Sequence, residues 1–170
     1  GGTDNEALAM YATISGGNAN KIYVGNYTTI GGGNSNRVSA ANATIAGGVS
    51  NQANADYATV AGGGWNLASS TYATVVGGKD NTVSKGWSVA FGQSNSASGL
   101  HNAVFGAYAD SYLLNGALVH SSGPVTTAGQ RVPTANADER GGESGQAAYR
   151  GKVSGALHDH RSCREPDRST

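Results

Sequence analysis

Tyr57-Ala58-Thr59-Val60-Ala61-Gly62-Gly63, followed by Asn66-Leu67-Ala68, is one unit of a short internal repeat. On its two sides stand Asn42-Ala43-Thr44-Ile45-Ala46-Gly47-Gly48 and Tyr72-Ala73-Thr74-Val75-Val76-Gly77-Gly78. Further out lie Tyr11-Ala12-Thr13-Ile14, Tyr27-Thr28-Thr29-Ile30, Trp87-Ser88-Val89-Ala90-Phe91-Gly92 and His101-Asn102-Ala103-Val104-Phe105-Gly106. Their starts advance by 16, 15, 15, 15, 15 and 14 residues, a regularity that sets the architecture before any other feature is weighed. A second column follows in each unit: Asn20, Asn36, Asn51, Asn66, Asn81 and Asn95, with Ile22, Val38, Ala53, Ala68, Val83 and Ala97 two residues on.

A helical repeat needs about 33 residues and a propeller blade about 40, so this period is too short for either. Gly, Asn, Thr and Ser also disfavour helix. A unit of this size is one coil of an all-β solenoid, and seven coils stacked about 4.8 Å apart predict a body roughly 34 Å long. Alternation within the first strand places Ala58 and Val60 on one side and Tyr57 and Thr59 on the other. Ile14, Ile30, Ile45, Val60 and Val75 are therefore the expected core stack. Gly accepts the positive φ that tight corners demand. Asn is expected at corners as the next-best residue, with its amide bonding to backbone or to the Asn one coil away.

The 170-residue chain has 11 basic and 11 acidic residues, but this balance hides an uneven distribution. Residues 1–120 carry four basic side chains (Lys21, Arg37, Lys79, Lys85) and five acidic ones; the rest, all three prolines and Cys163 lie beyond. A charge-poor repeat body argues against nucleic-acid binding, which needs clustered Lys and Arg. A single cysteine excludes an intrachain disulfide, and no apolar run approaches the length of a spanning helix, so no membrane insertion is expected. The expected divisions are an N-terminal edge (1–10), the repeats (11–110) and a neck-like or disordered polar tail (111–170). The chain opens on Gly1-Gly2 with no signal-peptide pattern, which reads as a piece of a longer protein.

Ser88-Val89-Ala90-Phe91-Gly92 and Asn102-Ala103-Val104-Phe105-Gly106, with Ser96-Ala97-Ser98-Gly99 between them, resemble the head repeats of trimeric autotransporter adhesins. The resemblance covers about residues 11–110. The upstream Tyr-Ala-Thr-Ile/Val units look like the variant found in head-like repeats of secreted bacterial proteins and phage fibres. It implies a left-handed parallel β-roll of about seven 14–16-residue coils, assembled as a homotrimer. It implies an extracellular place, on a bacterial cell surface or outer membrane or on a virion fibre. The implied function is non-enzymatic attachment to host or matrix surfaces, with an extracellular-matrix protein or glycan as partner. The alternatives are a structural spacer of a phage tail fibre or spike, and an ice-binding solenoid. A heptad stalk and a membrane-anchor barrel are not seen in the sequence.

The candidate contact or interface face is Tyr11, Tyr27, Tyr57, Tyr72 and Trp87, shared with the Thr13, Thr29, Thr44, Thr59 and Thr74 file. Stacked aromatics carry binding energy, and the same column suits packing between protomers. A Thr file is also an ordinary strand ladder, and this one stops at Val89. Asn26-Tyr27-Thr28 and Asn42-Ala43-Thr44 match the glycosylation sequon, a match that the composition itself makes common. His158-Asp159-His160 with Cys163 is the one metal-like cluster and reads as accidental proximity in a polar tail. No nucleophile with a base, no carboxylate pair and no phosphate loop marks the repeats, so no cofactor, metal or catalytic residue is expected. Too few aliphatics per coil offset the ordering of fifteen residues, so burial of a second face against identical chains is expected.

Overall fold

A computed structural model describes residues 1–123. The elements are short because each coil turns after a few residues. In chain order they are β1 (Glu6–Ala7), β2 (Thr13–Ile14), β3 (Lys21–Ile22), β4 (Thr29–Ile30), β5 (Arg37–Val38), β6 (Thr44–Ile45), β7 (Gln52–Ala53) and β8 (Thr59–Val60). They continue as β9 (Leu67–Ala68), β10 (Thr74–Lys79), β11 (Thr82–Val83), β12 (Val89–Gln93), β13 (Ser96–Ala97), β14 (Ala103–Ala107) and β15 (Leu118–Ser122). Among the described residues there is no helix.

The strands form two sheets in which every pairing is parallel. One runs β2-β4-β6-β8-β10-β12-β14-β15 and the other β1-β3-β5-β7-β9-β11-β13. Register is one coil per step, with Thr29 opposite Thr44, Thr44 opposite Thr59 and Thr59 opposite Thr74. A third line of single bridges joins Thr3, Asn18, Asn34, Val49, Gly64 and Lys79. The chain is thus a parallel β-solenoid of about eight turns. The eighth is a coil that the repeat count does not contain: β15 pairs with β14 from Ala103↔Leu118 to Ala107↔Ser122. The stack therefore runs past the expected limit near residue 110. The polar segment from 124 onward, with His158, Asp159, His160 and Cys163, lies outside the described residues.

The interior is narrow. Ile30, Ile45, Val60, Val75, Ala90, Val104 and Val119 form a file from the first sheet, and Ile22, Val38, Ala53, Ala68, Val83 and Ala97 one from the second. Ile14, in the outermost coil of its sheet, is only partly buried and packs against this core. Ala43, Ala58 and Ala73 complete the lining.

The buried asparagines bind each corner to the next. The Asn51 Oδ1 accepts the backbone N–H of Asn66 at 3.1 Å. The Asn51 Nδ2 donates to the carbonyls of Gly47 and Gly63, each at 3.0 Å. The same set recurs at Asn36, Asn66 and Asn81. The ladder ends at Ala109, whose N–H donates to Asn95 Oδ1. A buried amide with all its groups used contributes stability; left unpaired it would cost about 1–3 kcal/mol.

These asparagines do not occupy the left-handed corner. The positive φ falls one residue earlier, at Ala19, Ser35, Ser50, Trp65, Asp80 and Ser94, and likewise at Tyr108 before Ala109. Asn instead needs an ordinary backbone so that its amide points inward. A second left-handed column holds Tyr11, Tyr27, Asn42, Tyr57, Tyr72, Trp87 and His101. Each coil therefore carries two non-glycine left-handed residues, a conformation that costs of order 1–3 kcal/mol and persists only where the surroundings over-determine it.

Within Gly47-Gly48 only the second residue is compelled to be glycine. Gly48 has φ of 94°, and a Cβ there would overlap the Gly63 carbonyl oxygen of the next coil. Gly47 has no positive φ, and a Cβ there would meet nothing within 4 Å. Gly48→Ala is expected to destabilise by several kcal/mol and Gly47→Ala to be neutral within about 0.5 kcal/mol, read from urea midpoints at fixed protein concentration. Equal effects would contradict the corner geometry. Ile45→Asp, which buries a charge with no partner, is expected to cost about 3–5 kcal/mol; an unchanged melting temperature would show the core file to be misassigned.

Candidate functional site

Two aromatic files stand on the outside of the solenoid. In the first, each ring leaves the backbone from the same left-handed corner, so successive rings project in the same direction one coil apart. Tyr11 and Tyr27 stack at 4.8 Å between centroids, 6° from parallel. Tyr57 and Tyr72 stack at 4.8 Å, Tyr72 and Trp87 at 5.5 Å, and Trp87 and His101 at 5.5 Å. The five residues expected to make one face thus fall into a pair and a trio. His101 extends the trio, and Asn42 stands in the row between Tyr27 and Tyr57.

Stacking changes what this column offers a partner. Rings at these spacings cover one another's apolar faces and leave their edges and hydroxyls outward. The attraction between neighbours also helps hold bulky side chains in the left-handed region. A file that satisfies its own ring faces has less need of a second chain than an unstacked apolar strip of the same length.

The second file is not among the faces that the repeat pattern predicts. Phe91 and Phe105 stack at 5.2 Å, 5° from parallel, and His120 lies 5.1 Å beyond, tilted by 42°. They share the outward side of the first sheet with Val76 and Leu118, which are 52% and 46% exposed. In the N-terminal coils the corresponding outward positions are Ser15, Gly31, Ala46 and Ala61. The same sheet therefore presents a flat, small-residue surface with the Thr13–Thr74 file at one end and an apolar one at the other. The sequence did carry a signal for this: Phe91 and Phe105 occupy one offset in successive units.

The ion pairs and ring-stacked cations lie elsewhere and in the open. Lys21 pairs with Glu6 at 3.7 Å and Lys79 with Asp80 at 3.8 Å. Arg37 sits 4.7 Å over the Tyr23 ring and Lys79 5.1 Å over Trp65. Exposed pairs of this kind contribute little. Among the described residues no three His, Cys, Asp or Glu side chains gather into a group able to hold a metal ion.

Stacked coils, an internal amide ladder and repeated outer files define a β-solenoid repeat protein. No protein-family model matches the chain, and no curated protein does.

Tyr72 has a ring on each side, so Tyr72→Ala removes two stacking contacts while the left-handed backbone remains. The expected loss is about 1–3 kcal/mol beyond the lost area, measured by chemical denaturation at fixed protein concentration. An unchanged midpoint would show that the file adds nothing to stability.

Proposed function

We propose that this chain is a non-enzymatic, adhesin-like extracellular head that assembles as a homotrimer and attaches to host or matrix surfaces through repeated weak contacts. The supporting observation is the outward face of the first sheet, where exposed Val76, Phe91 and Leu118 and half-buried Phe105 form an apolar patch. Patches of this kind mark protein–protein contact sites when they are contiguous. The patch lies on a register-locked stack, so equivalent coils of parallel chains meet level with one another. Three is the number that the resemblance to autotransporter heads implies. In this reading the apolar sheet face seats the protomers, and the self-stacked Tyr and Trp file stands at its border. A homotrimer then displays each repeated feature three times, and multivalency raises avidity without a deep pocket.

A second reading, a spacer in a phage fibre or spike, is favoured by the unbroken coil-to-coil hydrogen bonding, which suits a stiff rod. Both readings call for assembly, and they part over attachment.

Sedimentation equilibrium of the full chain is expected to give a trimer, and Phe105→Asp to shift it toward monomer at the same concentration, because an unpaired charge opposes burial. A folded wild-type monomer at micromolar concentration would overturn the assembly. Retention of the trimer, but not of the Phe105→Asp variant, on surfaces coated with matrix proteins or epithelial cells supports the head; an assembled chain that adheres to none of them is a spacer.

A further inference from the structure

Ring faces within a stacked file are already occupied, so a ligand that binds by lying flat on an aromatic ring needs a place where the file is broken. Asn42 is such a break. Its φ of 57° matches Tyr27 and Tyr57 at 60°, so its side chain leaves the corner in the same direction. Its N–H donates to the Asn26 carbonyl at 2.9 Å, as the Tyr57 N–H does to that of Ala41 at 3.0 Å, which keeps the row in register. Tyr27 and Tyr57 are therefore two coil steps apart, about 9.6 Å, with one ring missing between them. An Asn side chain is shorter than a Tyr side chain by the outer part of the ring. The space between the outer halves of Tyr27 and Tyr57 has the thickness of one stacked six-membered ring.

Other uncovered faces are one-sided: the outer face of Tyr11, and that of His101, where the following coil places Gly116. Among the described residues of the file, only the gap at Asn42 aims two faces at each other, and it also has polar groups at its floor and rim. The Asn42 amide forms the floor and makes no hydrogen bond to another described residue. The same is true of the exposed Asn26 amide. Asp56 lies before Tyr57 and accepts the Ala41 N–H through one carboxylate oxygen at 2.9 Å. The other oxygen is free to accept from a ligand.

We infer that Tyr27, Asn42 and Tyr57 form a saccharide-binding slot that takes one hexopyranose ring between the two tyrosines. The electron-rich faces of the rings attract the C–H groups on the two sides of a pyranose. Asn26, Asn42 and Asp56 meet its hydroxyls and fix its orientation, the arrangement by which a few polar groups in an aromatic site confer specificity. An aromatic side chain inserted from a protein partner would cover the half-buried Asn42 amide without bonding to it, which opposes it. This inference rests on the attachment reading above, and names the ligand class and the site.

The test is saturation-transfer-difference NMR of the full chain with the methyl glycosides of glucose, galactose, mannose and N-acetylglucosamine. At least one is expected to be saturated by the wild type. Asn42→Tyr, which completes the file, and Tyr57→Ala, which removes a wall, are each expected to lose that signal. Trp65→Ser, at another corner, is expected to keep it. Asn42→Tyr places tyrosine in a conformation that its neighbours already hold. A thermal melt at or above the wild type's therefore separates loss of binding from loss of fold. No saturation of any glycoside by the wild type, or undiminished saturation by Asn42→Tyr, would overturn the slot. A wild type that assembles and adheres to coated surfaces while saturating no glycoside removes the slot and leaves the attachment reading standing. An Asn42→Tyr variant that loses the glycoside but still adheres keeps the slot and moves surface attachment to another face.

Discussion

The buried asparagine amide is what every other feature of this solenoid accommodates. Its oxygen receives the N–H of the next coil's asparagine, and its nitrogen bonds to the carbonyl four residues back and to one on the following coil. Such an amide tolerates little displacement, because each lost bond leaves a polar group without water. Chain length varies only where this cluster is not disturbed. A glycine precedes the asparagine by three residues at Gly17–Asn20, Gly48–Asn51 and Gly92–Asn95 alike. The 16-residue first unit takes its extra residue between Asn20 and Tyr27, and the 14-residue unit loses one between Ala90 and Gly92. The matching irregularity in the sheet lies between Val75 and Gly77, opposite that loss.

Fixing one corner leaves the others to be stabilised from outside. Two left-handed non-glycine residues per coil are unfavourable locally, so the structure depends on interactions between coils rather than within them. Aromatic stacking and backbone bonds such as Tyr57 N–H to Ala41 O at 3.0 Å supply this along one corner, and backbone bonds such as Trp65 N–H to Val49 O at 2.9 Å supply it along the other. A single coil has none of these contacts, which is the physical reason for repetition.

Much of this was legible in the sequence. The period, the strand alternation, the Ile/Val file and an asparagine ladder all follow from columns of like residues, because parallel in-register stacking turns a sequence period into a spatial contact. Features set by three-dimensional proximity were not legible. Gly47 and Gly48 look alike in the sequence, yet only one lies against a carbonyl of the next coil. The eighth coil carries Gly116-Ala117-Leu118-Val119, with no aromatic at its start and Ser121-Ser122 in place of the glycines. It joins the stack because Ala117 and Val119 still fit the interior and β14 offers an open edge. The single tyrosine column also divides into two stacked groups, since one asparagine in the row removes a neighbour from each ring beside it.

That division bears on how a repeat protein of this kind acquires function. Perfect repetition saturates itself: strands pair, amides ladder, rings cover rings, and only edges and hydroxyls remain for a partner. Departures from the period restore unsatisfied surface. On the first sheet the departure is gradual, as Ser15, Gly31 and Ala46 give way to Val76, Phe91 and Phe105, and it produces an apolar face at one end. At the tyrosine corner it is a single residue, Asn42, and it produces a gap. Substitution at such positions leaves the hydrogen-bonded frame untouched, because neither the outward side chains nor the ring at the corner takes part in the asparagine ladder. Stability and recognition are therefore carried by different columns of the same fifteen-residue unit, and the second can change from coil to coil while the first holds the register.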